Sequence, residues 1–467
     1  MTHIYAYAIM HTQRASQYDR LLRSRRKRDI QRAGLLEKER SLNPYIRKIK
    51  QLAKLMISYH IEGEEKIYRI KHTPFQVKRR YTRFYHRELE PLPVQPEKVI
   101  FDNYMGRGYG CNGKYVTEAL LEKTKELDLV WVVKDAERQK DLFPKEVRLV
   151  EYGTPEAMYE YATAGVWAQN YQMVRYLNRG LLKKSGQVYI QMWHGSFGIK
   201  KIENDCRNLT QDQNWTLLAR RNSAYTDYWI SNSVFESDIY RQAFWDVEKI
   251  LEYGHPRNDI FFGQREKKAR DAVEAYIGRK DCRLLLYVPT FRDDWSVPGE
   301  RLDLERMKQN LELRFGGCWQ ILLRLHPRAA KEGEGPEFFG KGGISVTDYP
   351  DIQELLAAAD AVVTDYSSAV FDFLLTGRPA FIYAPDYEKY QKLRGLYYPL
   401  EETPFPLAID NGQLSDCILE FDEASYRRNA EVFLKEKGSA EDGHAAERVA
   451  DLILACIAQN RKNKGEE

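Results

Sequence analysis

No two cysteines in this 467-residue chain are spaced as Cys-x-x-Cys. The six that occur, Cys111, Cys206, Cys282, Cys318, Cys417 and Cys456, are scattered. That argues against a zinc knuckle or a disulfide framework and fits a reducing compartment. Long hydrophobic runs are lacking as well, so no segment is expected to span a bilayer. Residues 1–10 are apolar but have no basic stretch ahead of them, so no signal peptide is expected. These absences leave a cytoplasmic chain, or one lying peripherally on the cytoplasmic face of the cell membrane.

What is present is the composition of a globular protein, 43% hydrophobic and 30% charged. The length calls for two or three domains. The formal net charge of +4 hides an asymmetry. Residues 1–90 hold 22 Lys/Arg against 9 Asp/Glu, leaving 50 against 59 for the remainder. Residues 13–40 read as a polar, basic helix, and Ile46, Ile49, Leu52 and Met56 continue at helical spacing among lysines and arginines. Composition ranks three readings of this mainly helical region 1–90: a solvated helical hairpin, a membrane-surface element, and a nucleic-acid contact. "ELEPLPVQPEK" (Glu88–Lys98) reads as a proline-rich linker.

From Val99 the pattern changes to short apolar strands alternating with helical segments, and near residue 246 the alternation restarts. Strands buried on both faces and alternating with helices imply parallel, doubly wound sheets. The expected layout is α/β: one doubly wound domain over 98–245, a second over 246–435, and a closing helix with a charged tail over 436–467. Ligands in such sheets bind beyond the carboxyl ends of the strands.

Several polar clusters fall at those strand ends. Gly108-Tyr-Gly110-Cys-Asn-Gly113 matches G-x-G-x-x-G, with Asp135 at the end of the next strand. Extra loop residues precede its first glycine, and its third glycine is expected just before the helix. A loop contacting a phosphate or an acceptor is therefore as good a reading as dinucleotide binding. "YIQMWHGSFGIKK" carries His194 after an apolar run, with Gly195 giving the backbone room to turn. "YGHPRNDIFF" turns at Gly254 and Pro256 and presents Arg257, Asn258 and Asp259; the last two also suit a helix N-cap. "YVPTFRDDW" offers Thr290 and Arg292. "LLRLHPR" sets Arg324 inside a strand, where it needs a buried anionic partner, and His326 at its end. "AVVTDYSSAVFDF" runs a buried strand into Thr364, Asp365, Tyr366, Ser367 and Ser368 and then a helix start, a seat for a diphosphate.

Taken in order, "WHGSFGIKK", "GHPRND", "YVPTFRDD", "LRLHP" and "TDYSSAVFDFLLTGRPAFIYAPD" resemble the CDP-glycerol glycerophosphotransferase family of teichoic acid synthesis, over roughly residues 98–435. The resemblance implies a GT-B-like fold with two Rossmann-like domains facing a cleft. It implies transfer of glycerol phosphate from CDP-glycerol to a hydroxyl of a lipid-linked acceptor, with release of CMP. The family's two histidines correspond to His194, expected as general base, and His326, expected to stabilise the transferring phosphoryl group with help from Arg257. Ser367 and Ser368 are expected to hold the diphosphate, with the remaining strand-end residues lining the substrate site. No cofactor is named by these residues, and assistance by Mg²⁺ stays open. With a polyprenyl-linked acceptor, docking of residues 1–90 on an anionic membrane surface becomes the leading reading of the basic region, and nucleic acid falls away. The alternatives are a CDP-ribitol transferase, a sugar-nucleotide glycosyltransferase on the same architecture, and a non-catalytic assembly protein that keeps the fold.

Overall fold

The computed structural model describes residues 57–62, 65–70, 82–206, 213–290, 301–325 and 342–465. The chain divides into two units, residues 1–83 and 84–467. In the first, β1 (Ile57–Glu62) and β2 (Glu65–Ile70) pair antiparallel, with Ile57 opposite Ile70. Apolar and polar residues alternate along β1, the period of a strand rather than a helix. This hairpin is absent from the helical reading of residues 1–90. The two segments read as basic helices, 13–40 and 46–56, lie outside the described residues.

The second unit holds two parallel sheets. The first has β3 (Gln95–Asp102), β4 (Asp128–Val133), β5 (Arg148–Glu151), β6 (Ala164–Gln169), β7 (Val188–Gln191), β8 (Tyr228–Ser231) and β9 (Ile250–Glu252). Their order is β5-β4-β3-β6-β7-β8-β9, every pair parallel. The second has β10 (Arg283–Val288), β11 (Trp319–Leu323), β12 (Gly343–Ser345), β13 (Ala361–Thr364), β14 (Ala380–Tyr383) and β15 (Leu407–Ala408), in the order β12-β11-β10-β13-β14-β15 and again all parallel. Central strands such as Leu129–Val133 and Leu284–Val288 are buried without alternation, because helices cover both faces.

Three sequence expectations change. Strand β9 pairs with β8 and belongs to the first sheet, so the boundary expected at 246 falls beyond Glu252. The proline-rich stretch 88–98 is not a free linker. Leu89 is buried, Lys184 Nζ donates to the Leu89 and Leu92 carbonyls at 2.8 Å each, and β3 already begins at Gln95. Finally, helix α1 (Cys111–Lys123) starts earlier than expected, which puts Gly113 inside its first turn. A Cβ there would come within 3.0 Å of the Trp131 ring, so close packing of helix on sheet uses this glycine.

The halves are tied together by the C-terminal helix α5 (Ala445–Gly465), which packs on α1, β3 and β6 of the first half. Asp259, just after β9, accepts from the backbone N–H groups of Ala445 and Ala446 at 3.0 and 2.7 Å and so caps this helix. Between α1 and α5 lie, among others, α2 (Val234–Ala243), α3 (Ile352–Ala358) and α4 (Ala369–Leu374).

Candidate active site

The carboxyl ends of β3, β6 and β7 and those of β10, β11 and β13 open on one cleft of about 1030 Å³. Parallel strands leave their loops at that edge, so both halves deliver polar side chains to the same space. Among the described lining residues are the cations Arg107, Lys200, Arg257, Arg324 and Arg394 against the acids Glu203, Asp351 and Asp372. All three acids are engaged: Glu203 by Trp215, Asp351 by Lys114 and Tyr115, Asp372 by Arg257. The cleft is therefore electropositive and suited to phosphates.

His194 follows β7 and is half-buried in the cleft wall. Its Nδ1 lies 2.7 Å from the Asn170 carbonyl, so Nδ1 carries the hydrogen and Nε2 keeps its lone pair. Aromatic rings enclose it, with centroids at 4.2 Å for Trp193, 4.4 Å for Tyr104 and 5.5 Å for Tyr171. Burial, with added repulsion from Arg257 and Lys200, pushes the imidazole down to about 3 and keeps it neutral. The loop is strained at Trp193 and Phe197, whose φ angles are 47° and 42°. Gly195 has no positive φ, so the turn does not depend on it as expected.

That strained loop is clamped from three sides. Asn112 at the start of α1 donates to the carbonyls of Met192 and Trp193 at 3.0 Å each. Arg257 Nη2 donates to the Gly195 carbonyl at 2.7 Å. From the second half, Tyr397 N–H donates to the Ile199 carbonyl at 2.8 Å and Tyr398 O–H to the Phe197 carbonyl at 2.5 Å.

Arg257 is buried and pairs with Asp372 of α4 through Nε, at 2.9 Å, and Nη2, at 3.2 Å. Burial works against its charge, but the Asp372 carboxylate together with Cys111 and Glu236 holds its affinity for the proton above the ordinary arginine value. Its backbone N–H donates to Asn112 Oδ1 at 3.2 Å, while Nη1 has no partner among the described residues. Arg257 thus acts as a rivet between the halves, with one N–H group left over.

The other expected site residues divide sharply. Thr290, Arg324, Ser367 and Ser368 line the cleft. Gly254, Pro256, Asn258, Thr364 and Asp365 do not; they form the frame behind it. Gly254 adopts φ +85°, and a Cβ there would sit 2.9 Å from Glu441 Oε2. Glu441 accepts from His255 N–H at 3.2 Å and from Asn258 Nδ2 at 2.7 Å, and burial pushes its carboxyl up to about 8. Asn258 Oδ1 accepts from Gln353 Nε2 at 2.9 Å. Pro256 opens the short turn Pro256–Phe261. Thr364 Oγ1 donates to the Val288 carbonyl at 2.5 Å, and Asp365 Oδ1 accepts from the N–H groups of Thr290 and Tyr366. The Thr364 hydroxyl and Asp365 Oδ1 are thus engaged by backbone, and the Asn258 amide by Glu441 and Gln353, behind the cleft. Arg292 and His326 lie outside the described residues.

Arg324 departs from expectation too. It stands one residue beyond β11, and its Nη1 donates to the carbonyls of Val346 and Tyr349 at 3.1 and 2.7 Å rather than to an acid. The residues that sequence reasoning missed, Asn112, Asp372 and Glu441, act at long range; only the G-x-G-x-x-G match gave Asn112 any local signal.

The matching family now adds to this geometry. Residues 83–455 match the CDP-glycerol:poly(glycerophosphate) glycerophosphotransferase family. The chain belongs to this family. It is 32% identical over 375 residues to a teichoic acid poly(glycerol phosphate) polymerase of Staphylococcus epidermidis, covering 77% of this chain and 51% of that one. The chain thus spans about half the length of that relative. It is 31% identical over 394 residues to a teichoic acid glycerol-phosphate transferase of Staphylococcus aureus, covering 80% and 96%. The wall teichoic acid polymerase TagF, solved with CDPG soaked in, is 28% identical with a TM-score of 0.71, covering 82% of this chain and 94% of that one. The two-sheet, GT-B-like architecture is therefore the fold of this family.

Proposed function

We propose that this protein transfers glycerol phosphate from CDP-glycerol to a hydroxyl of a lipid-linked teichoic acid acceptor and releases CMP. The observation that carries the reading is the neutral His194, its Nε2 unprotonated in an electropositive cleft between two nucleotide-binding-type sheets. The acceptor oxygen attacks the phosphorus that bears the glycerol, and the phosphoanhydride bond to CMP breaks. His194 Nε2 takes the hydroxyl proton, and CMP leaves with the bonding electrons. A base depressed to about 3 is weak, but a bound diphosphate offsets the repulsion from Arg257 and Lys200 and raises it toward a useful value. His326 stabilises the transferring phosphoryl group, and Thr290, Ser367 and Ser368 offer hydroxyls to the diphosphate. The position of the buried Arg257 supports a holding role for it, fixing the His194 loop through Gly195, more than direct contact by its whole guanidinium.

The membrane-bound acceptor supports a docking role for residues 1–90, whose excess of Lys/Arg over Asp/Glu suits an anionic surface. No helix among the described residues is long and apolar enough to cross a membrane. Incubation with CDP-glycerol, CDP-ribitol or UDP-sugars and a lipid acceptor, followed by assay of free nucleotide, tests the activity. CMP released from CDP-glycerol, and only with acceptor, is the expected result. UDP release makes the protein a sugar transferase, preference for CDP-ribitol makes it the ribitol variant, and no turnover removes the catalytic reading.

A further inference from the structure

The G-x-G-x-x-G segment is not used by the mechanism above, yet its loop is among the most constrained in the molecule. Between β3 and α1 the backbone turns through Tyr104, Met105 and Gly106 at φ 51°, 59° and 81°. Asp102 Oδ1 accepts from Gly106 N–H at 2.7 Å, the Gly106 carbonyl accepts from Lys134 N–H at 2.8 Å, and Asn103 Nδ2 holds the Gly108 carbonyl at 2.9 Å. A Cβ on Gly106 would meet Tyr152 Cβ at 2.8 Å, so only glycine fits at this point of the turn. A non-glycine pair held in the left-handed region by surrounding contacts is the kind of strain found at ligand clamps.

What this rigid loop displays is Arg107. The side chain is exposed, lines the cleft, and has no ion-pair partner among the described residues. Its guanidinium carbon lies 5.7 Å from the centroid of Tyr104, and the Tyr104 ring lies 4.4 Å from His194. Across the cleft stands Arg324, tied to two carbonyls and bonded to no carboxylate among the described residues. After burial, the charge of Arg107 is the strongest influence lowering the Arg324 guanidinium, to about 10. Asp351 and Asp348 offset part of that charge without bonding to it, and two guanidinium groups sharing one cleft still repel each other unless an anion comes between them. Guanidinium forks match phosphate oxygens two at a time.

We propose that Arg107 and Arg324, one from each half, form a two-sided clamp on a phosphate group beside His194. This rests on the phosphotransferase reading above and adds a substrate-binding residue to it. The phosphate belongs either to the donor diphosphate or to a phosphodiester of the acceptor chain; the shared chemistry is a phosphate oxyanion. Because the clamp has one arm on each half, it rewards closure of the cleft around substrate and stabilises charge on the transferring group.

The test compares full-length wild type with Arg107→Ala, Arg107→Lys, Arg324→Lys and the Arg107→Ala/Arg324→Lys double variant. With CDP-glycerol and a lipid acceptor, Arg107→Ala is expected to lower kcat/KM roughly 10- to 100-fold. Arg107→Lys should recover part of that loss, and thermal unfolding should stay at the wild-type midpoint. A raised KM for CDP-glycerol assigns the phosphate to the donor, and a raised KM for the acceptor assigns it to the growing chain. A double variant less impaired than the product of the two single losses supports a shared ligand. If Arg107→Ala stays within twofold of wild type on both substrates, the clamp is overturned. If wild type does not turn over CDP-glycerol, it is the phosphotransferase reading that fails. The clamp is then judged by binding of CDP, and wild-type affinity that is absent or unchanged in Arg107→Ala overturns it.

Discussion

The two walls of the cleft come from sheets of the same design and yet are built differently. The first half offers an aromatic shelf of Tyr104, Tyr171 and Trp193 around a neutral histidine, on loops with positive φ at Tyr104, Met105, Trp193 and Phe197. The second half offers small hydroxyls at Ser367 and Ser368 and a guanidinium at Arg324, on ends with ordinary backbone. The difference follows the proposed division of labour. A base must be aimed and kept dry, which takes rigid rings and strained backbone. A diphosphate needs many donors, which short side chains and backbone supply cheaply.

The largest expected effect breaks the aromatic wall at its centre. His194→Ala should lower CMP release about 10²- to 10⁴-fold while leaving the unfolding midpoint close to wild type; activity within tenfold of wild type would remove the histidine from the mechanism. Next comes the rivet between the walls. Asp372→Ala leaves the buried Arg257 without its carboxylate and should cost about 3–5 kcal/mol in denaturant unfolding.

A smaller loss is expected at the rim. There Lys114 of the first half bonds Asp351 at 3.0 Å and Glu354 at 2.5 Å on α3 of the second. Lys114→Met should cost about 2 kcal/mol and raise KM more than it lowers kcat, because it loosens closure rather than chemistry. A fall in kcat alone would give Lys114 a different role.

The smallest effect is a pH shift. A lowered histidine pKa means the neutral base survives as pH falls, and activity is lost only when pH drops through the lowered value. The profile of kcat/KM, which reports the free enzyme, should therefore show no acidic limb from His194 near 6.5. The profile of kcat should show its limb at higher pH than that of kcat/KM, since bound diphosphate raises the base. A limb near 6.5 in kcat/KM that disappears in His194→Gln would contradict the burial argument.

The strand ends were legible because parallel strands announce themselves as short unbroken apolar runs, such as "LVWVV" and "LLLYV". His194, Arg324, Ser367 and Ser368 were legible as polar residues directly after such runs. Less visible was which strand ends line the cleft. Gly254, Asn258, Thr364 and Asp365 have the same residue types at the same kind of position, yet their partners are Glu441, Gln353 and the backbone at Val288 and Thr290. The sheet membership of Ile250–Glu252 was hidden for a related reason. A three-residue strand carries no mark of the strand it will pair with.

By itself the sequence determined the fold class, the edge of each sheet where the cleft opens, and a histidine that lines it. These depend on local periodicity and on a glycine, proline or hydroxyl within a few residues. Only the tertiary structure decided that Arg257 is a rivet and that Asn112 clamps the histidine loop. It alone decided too that Arg107 and Arg324 line one cleft from opposite halves. Each of those pairings joins residues far apart in the chain, and whether a buried charge meets a carboxylate, a carbonyl or a substrate is settled only when the two halves close on each other.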